Sequence, residues 1–304
     1  MKKISVILTT FNCENQLQDV LDSIKNQEGV NILFKLELLV VDDCSTDATR
    51  NILKENKIKF YSTNKNSGGP NKGRNLALKK STGDYLCIAD HDDIWMPNKI
   101  QKLLSLTHLA SIVSSGYFLF EHATSKKIKR VNKSSKGSKY LTYSKNQTFL
   151  SKLSKSYNGQ ETYLGSLLFD KSFKNLLFEE KYGMVDFDWV LKLFHNQKSV
   201  EFCDALYVRK VKNDNLSLNE RYRINDYNYS LNSILEYEHL YPKKVSISRM
   251  KINGSMARYY YLKGDMKKSR KYFLKSSLDF KTMLYLITTF VGSKIVKKYF
   301  KVFG

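Results

Sequence analysis

Apolar runs and amphipathic stretches alternate along the chain from Ile4 to Glu121. Ile4-Ser5-Val6-Ile7-Leu8-Thr9-Thr10-Phe11-Asn12 reads as a buried strand that runs into a polar turn. Leu17, Val20, Leu21 and Ile24 follow at helical spacing, so Gln16 to Asn26 forms a helix with one apolar face. Leu36 to Val41 is a second buried strand and stops at Asp42-Asp43. Ser45 or Asp47 is placed to cap the helix predicted over Ala48 to Asn56. Ile58 to Tyr61 gives a third strand, Tyr85 to Ala89 a fourth, and Ser111 to Glu121 extends the sheet. Such alternation predicts an α/β fold: a mostly parallel, Rossmann-like sheet with helices on both faces. Ligands of these sheets bind outside the carboxyl ends of the strands. Three polar clusters fall there: Thr9 to Asn12, Asp42-Asp43, and Asp90 to Asp93.

The pattern changes near Arg221. Tyr222, Ile224, Tyr227, Leu231, Ile234 and Leu235 predict one helix. Ser248 to Leu262, Gly264-Asp265 and Met266 to Leu278 predict an antiparallel helical pair. The chain therefore divides into an α/β domain over residues 1–220 and a helical C-terminal region over 221–304. From Met283 on, apolar Phe290, Val291, Ile295, Val296, Tyr299 and Phe303 alternate with Lys294, Lys297, Lys298 and Lys301. A basic amphipathic helix of this kind suits an anionic membrane surface, or packs on the domain. The stretch from Lys126 to Lys139 is basic and Ser-rich and reads as a solvated loop. No run of ~20 apolar residues is present. Met1-Lys2-Lys3 before Ile4 mimics a signal peptide, but the apolar run is too short.

Composition narrows the partners. Aromatic residues make up 13% of 304 residues and proline occurs 3 times, which excludes a disordered chain. Cys13, Cys44, Cys87 and Cys203 show no CxxC spacing, so a reduced setting fits better than a disulfide framework. Lys and Arg number 51 against 29 Asp and Glu, a net charge of +22. That balance favours anionic partners: nucleic acid, phosphorylated substrates or an acidic membrane face.

The chemistry concentrates in Asp90-His91-Asp92-Asp93. Carboxylates that close repel unless a cation joins them. Hard oxygen ligands suit Mg²⁺ or Mn²⁺, held by one or two carboxylates together with substrate phosphates. The alternative is a polar loop that caps the next helix near Pro97. Between the third and fourth strands, Gly68-Gly69-Pro70 sets up a turn into a helix, and Lys72 and Arg74 lie near its start. That is a good place to meet phosphate, although the P-loop spacing is absent. Asp186 and Asp188 begin another apolar helix, marked by Val190, Leu191, Leu193 and Phe194. They serve either as helix-terminal acids or as catalytic groups.

Ser5 to Asn12, Val41-Asp42-Asp43-Cys44-Ser45-Thr46-Asp47, Gly73-Arg74-Asn75-Leu76-Ala77-Leu78, and Gly83-Asp84-Tyr85 leading into Asp90-His91-Asp92-Asp93 occur in that order. Together they resemble the family 2 inverting glycosyltransferases of the GT-A fold. The resemblance implies a nucleotide-sugar donor and a D-x-D metal site. It implies that Asp43 reads the nucleobase, with Thr9 beside it, and that Asn12 is a donor-binding residue. Asp90 or His91 would lie near the ribose, and Asp92 would hold Mn²⁺ or Mg²⁺ on the diphosphate. Val185-Asp186-Phe187-Asp188-Trp189 resembles the family's E-D-x-x-L-x-x-R segment, with Val185 and Lys192 in place of the usual Glu and Arg. By position the base is Asp186, with Asp188 as the alternative. Tyr207 to Ser217 resembles R-x-H-x-x-N-x-S, and Lys212 takes the place of the usual His, where it could meet donor phosphate.

The resemblance thus implies a metal-dependent hexosyl-, N-acetylhexosaminyl- or deoxyhexosyltransferase. Its donor would be a UDP- or dTDP-sugar. Its acceptor would be a glycan, lipid-linked in the case of bacterial surface polysaccharide. The place of action would be the cytoplasmic side, peripheral on the inner membrane face. The rivals are an inert glycan-binding relative and a basic nucleic-acid-binding protein. No nucleic-acid module is recognisable, so nucleic acid is not an expected partner.

Overall fold

The computed structural model describes residues 1–121, 125–134, 137–156, 158–211, 219–277 and 279–290. They divide into two compact units, Met1–Phe149 with Asn158–Asn215, and Leu150–Tyr157 with Leu216–Gly304.

In the first unit, β1 (Lys2–Thr10) is an interior strand of the sheet. It pairs in parallel with β2 (Phe34–Asp42) on one side and β4 (Tyr85–Ala89) on the other. β3 (Phe60–Ser62) adds in parallel to β2. Ile4 to Thr10 are all buried, because both faces of the sheet are covered. Helix α1 (Glu14–Lys25) covers one face with Leu17, Val20, Leu21 and Ile24, as its spacing predicts. Helix α2 (Thr49–Glu55) follows β2, and α4 (Lys99–Leu104) and α5 (Gln147–Leu153) come later in the chain. The capping of α2 differs from expectation. Ser45 Oγ donates to Asp42 at 2.5 Å, and Asp47 accepts from the Thr49 N–H at 3.0 Å.

Beyond β4 the antiparallel pairings begin. β9 (Leu168–Asp170) lies antiparallel between β4 and β6 (Ile112–Glu121). β10 (Ser199–Val211) runs parallel to β6 and antiparallel to β5 (Ile94–Trp95). The strand order is β3-β2-β1-β4-β9-β6-β10-β5. β8 (Tyr140–Tyr143) adds to β10. Part of the expected basic loop is also a strand. β7 (Lys126–Arg130) forms an antiparallel pair with β6. Its lysines lie on aromatic and acidic neighbours: Lys127 is 4.4 Å from the Phe118 ring centre, and Lys129 is 2.7 Å from Asp204. Lysine stems can cover apolar surface, which hides a strand's period in the sequence.

The second unit is helical: α7 (Glu220–Leu235), α8 (Pro242–Lys263), α9 (Met266–Phe273) and α10 (Phe280–Thr288). Helix α8 begins earlier than its apolar spacing suggests, with Pro242 in its first turn. Gly264 ends it in the left-handed region at φ 86°, and Asp265 caps α9 through the Lys268 N–H at 3.0 Å. Tyr261, Phe273 and Tyr285 pack as a cluster, with Tyr261 and Tyr285 edge-on at 5.0 Å. Among the described residues no helix is long and apolar enough to cross a membrane. The expected stripe of Lys294, Lys297, Lys298 and Lys301 lies outside the described residues.

One carboxylate fastens three parts of the parallel half together. Glu37 on β2 accepts from Lys3 Nζ at 2.6 Å, Ser5 Oγ at 2.5 Å, Thr82 Oγ1 at 2.7 Å and the Thr82 N–H at 2.9 Å. Burial pushes its pKa up, but the donors outweigh burial and hold it near 2. A carboxyl whose folded pKa is depressed stabilises the fold above its unfolded pKa and loses that contribution as pH falls through the folded value. Stability measured by urea unfolding is therefore expected to fall between about pH 5 and pH 2, and Glu37→Gln should flatten that fall.

Candidate active site

Neighbouring carboxylates at the end of β2 have separate partners. Asp42 accepts from Thr10 Oγ1 at 3.2 Å, the Ser45 N–H at 3.1 Å and Arg50 Nε at 2.5 Å. It holds the turn after the strand. Asp43 accepts from Thr63 Oγ1, and from the Ser67 N–H and Oγ, both at 3.0 Å. It fixes the loop that leads to α3 (Asn71–Lys80). Asn12, with φ 45°, accepts from the Thr46 N–H at 2.9 Å and donates its own N–H to Ser45 Oγ at 3.0 Å. Thr9 is buried against the first turn of α3, where a Cβ on Gly73 would meet Thr9 Cγ2 at 2.9 Å. Thr9, Asn12 and Asp43 thus line the ends of β1 and β2, as the sequence implies.

Helix α3 starts without a side-chain cap, and its first turn is held by a distant segment instead. The Asn71 N–H donates to Gly183 O at 3.0 Å. Asn71 Nδ2 donates to Glu179 O at 3.0 Å and to Val185 O at 2.9 Å. The Glu179 carboxylate accepts in turn from the N–H groups of Tyr182 at 2.7 Å, Met184 at 3.0 Å and Val185 at 3.0 Å. Gly69 lies so close that a Cβ there would stand 2.2 Å from Gly183 O. Asn75 exchanges two bonds with Phe178, donating to its carbonyl at 2.9 Å and accepting its N–H at 2.8 Å. Asn71, Asn75 and Glu179 were not singled out from the sequence. Asn75 stood inside a quoted motif, but nothing there signalled a partner over a hundred residues away.

The first turn of α3 also reaches β4. Arg74 donates to Asp90 at 2.7 Å and to Asn71 Oδ1 at 3.2 Å, and its guanidinium lies 5.4 Å from the Phe178 ring centre. Phe178 stacks on Trp189 at 4.5 Å. Lys72 is exposed. Asp90, His91 and Asp92 are half-buried after β4, whereas Asp93 is buried. A Cβ on Gly165 would meet Asp93 Oδ2 at 2.7 Å. Burial pushes the Asp93 carboxyl well above the usual range, and the charges of Asp90 and Asp92 push it further. Arg209 and Lys99 oppose the rise. Lys99 is fully buried, donates to Gly165 O and lies 3.8 Å from the Trp95 ring centre. Burial lowers its pKa to about 8.

Asp186 and Asp188 are distinguished by exposure. Asp186 is the N-cap residue of α6 (Phe187–Phe194), yet its side chain makes no capping bond, so the simple capping role does not apply. It is half-buried. Asp188 is buried in the first turn of α6, 3.6 Å from Lys192. Lys212 lies outside the described residues.

Residues 5–163 match the family model Glycosyl transferase family 2. The chain belongs to this family. A poly(ribitol-phosphate) beta-N-acetylglucosaminyltransferase, TarS of Staphylococcus aureus, is 42% identical over 97 residues, 31% of this chain and 17% of that protein. The glucosyltransferase WfgD of Escherichia coli is 35% identical over 106 residues, 34% of this chain and 40% of that protein. The putative teichuronic acid biosynthesis glycosyltransferase TuaG of Bacillus subtilis is 34% identical over 106 residues, again 40% of its length. The chain thus matches well under half the length of each of these relatives. The crystal structure of S. aureus TarS 1-349 shares the fold with a TM-score of 0.64 at 18% identity, covering 98% of this chain and 91% of that one. The α/β architecture with its helical C-terminal part is therefore the GT-A architecture of TarS.

The clamp around Asn71 yields a prediction. Asn71→Ala leaves the Glu179 and Val185 carbonyls without this buried donor. It is expected to lower stability to urea by about 2–4 kcal/mol. Hydrogen exchange should quicken at the Met184 and Val185 amides and not in β1.

Proposed function

We propose that this family 2 chain is an inverting, metal-dependent glycosyltransferase. Its donor is a UDP- or dTDP-sugar, and its acceptor is a lipid-linked glycan of a bacterial surface polysaccharide. One observation carries the reading: Arg74 holds Asp90 on one side and lies over Phe178 on the other, and Phe178 stacks on the helix that Asp186 begins. The acidic end of β4 and the assigned base are thereby tied into one framework.

Asp43 serves as acceptor for the imino N–H of uracil or thymine. Thr63 and Ser67 hold the carboxylate in place through four contacts, the Ser67 N–H being shared between both oxygens. A base N–H would take over one half of that shared contact. UDP is favoured because WfgD is named for UDP-Glc and a TarS crystal contains UDP-GlcNAc. Asp90 or His91 meets the ribose. Arg74 acts through Asp90, which leaves exposed Lys72, with Lys212, to meet phosphate directly.

Asp92, with Asp90 beside it, would hold the divalent ion. Among the described residues no group of three or more His, Cys, Asp or Glu forms a ready cage. That donor set fits Mg²⁺ or Mn²⁺, which use one or two carboxylates and complete their shell with water and substrate phosphate. When bound, such an ion neutralises charge that develops on a departing diphosphate. Asp186 takes the proton from the acceptor hydroxyl as that oxygen attacks. Its partial exposure supports it over Asp188, which is buried beside Lys192. The charge of +22 and the basic C-terminal sequence support attachment to the inner face of the membrane, where a lipid-linked acceptor resides.

Two measurements test the site. Calorimetry with UDP should show affinity that rises with Mn²⁺ in the wild type and not in Asp92→Ala; an equal rise in both removes Asp92 from the metal site. Asp186→Asn should keep donor affinity while transfer to acceptor falls ~10²-fold or more. Near-normal transfer in Asp186→Asn with a dead Asp188→Asn would move the base to Asp188.

A further inference from the structure

The helical unit contains a cleft of about 160 Å³ lined wholly by its own residues. Four cationic side chains, Lys155, Arg223, Lys251 and Arg258, line it against a single carboxylate, Asp226. Cations gathered in a concavity repel one another and concentrate positive potential there. The wall is otherwise apolar or neutral, including buried Ile252 and Met256.

Three features distinguish this from a solvated basic face. Arg223 Nε is buried and has no hydrogen-bond partner. An unsatisfied buried donor is costly, and a shift of the Arg223 side chain toward an oxygen in the cleft would relieve it. Lys155 is held in the left-handed region at φ 46°, an uncommon conformation outside glycine. Its carbonyl accepts from Lys251 Nζ at 3.1 Å, which keeps that ammonium at the cleft. Asp226 accepts from Ser230 Oγ at 3.3 Å, so the carboxylate has a partner on its own helix.

We propose that this cleft is an anion site, distinct from the donor residues, that takes the phosphate of a phosphoester bearing free hydroxyl groups. Guanidinium groups match phosphate oxygens in geometry and charge, and two of them line the cleft. Asp226 and Ser255 supply acceptors for hydroxyls next to the phosphate. A concavity of this size receives one such group, whereas a membrane surface requires an open face. The proposal does not depend on the transferase reading.

Calorimetric titration of the full chain with glycerol phosphate tests it. The wild type should bind, and Arg223→Gln and Arg258→Gln should each bind about tenfold more weakly, the loss expected for one charge-assisted contact of ~1.4 kcal/mol. UDP affinity should be unchanged in both variants. If Arg223→Gln fails to fold by circular dichroism, Arg258→Gln and Arg223→Lys carry the comparison. Equal affinity in the wild type and the folded variants overturns the site. So does binding to phosphatidylglycerol vesicles with none to glycerol phosphate. Glycerol phosphate binding in a protein that ignores UDP would sink the donor reading and leave the cleft standing.

Discussion

The α/β unit depends on one carboxylate that organises backbone. Glu179 gathers the N–H groups of Tyr182, Met184 and Val185, and Asn71 binds the same turn from the first turn of α3. A segment without regular structure cannot pair its N–H groups along its own backbone, so a side chain must accept them. Here the satisfying group is charged, and bonds to a charged acceptor are stronger than neutral ones. The result is that Val185 is fixed by α3, while the next residue, Asp186, accepts the Val190 N–H of α6 on its carbonyl at 2.9 Å. Asp186 is thereby placed from both sides through the backbone, without a capping bond from its side chain.

Much of this was legible in the sequence, for physical reasons that differ by region. Strands β1 and β4 were readable because they are buried on both faces and appear as nearly unbroken apolar runs, and β2 because Leu38 to Val41 form an apolar stretch whose end is buried. The acidic residues at their ends were readable as loop positions because the apolar runs stop there. Strand β7 was hidden because four of its five residues are Lys or Arg, whose stems pack while their charges remain wet. The start of α8 was missed although Pro242 marks it and Val245 is already buried, because Lys243, Lys244 and Ser246 dilute the apolar period of the first turn.

The site shows a sharper limit. Residue types announced that Asp42 and Asp43 matter, but not that one serves the turn and the other the loop before α3. That division follows from neighbours at Arg50, Thr63 and Ser67, and a single sequence carries no record of contact. The same holds for Arg74. Its place at a helix start suggested a phosphate ligand, whereas its guanidinium joins Asp90 and lies over Phe178. Burial decides between such roles, and burial belongs to the fold.

The interleaving of the two units bears on how the chain folds during synthesis. Residues 150–157 belong with the helical unit, yet residues 158–215 return to the α/β unit before α7 begins. The short segment leaves the ribosome early and must wait for its partners. Meanwhile β9, α6 and β10 complete the sheet behind it. Closing that loop carries an entropic cost that grows only slowly with its length. A simple cut before α7 would therefore not release two finished halves. It would leave Leu153, fully buried in the intact chain, on a fragment that lacks the rest of its unit.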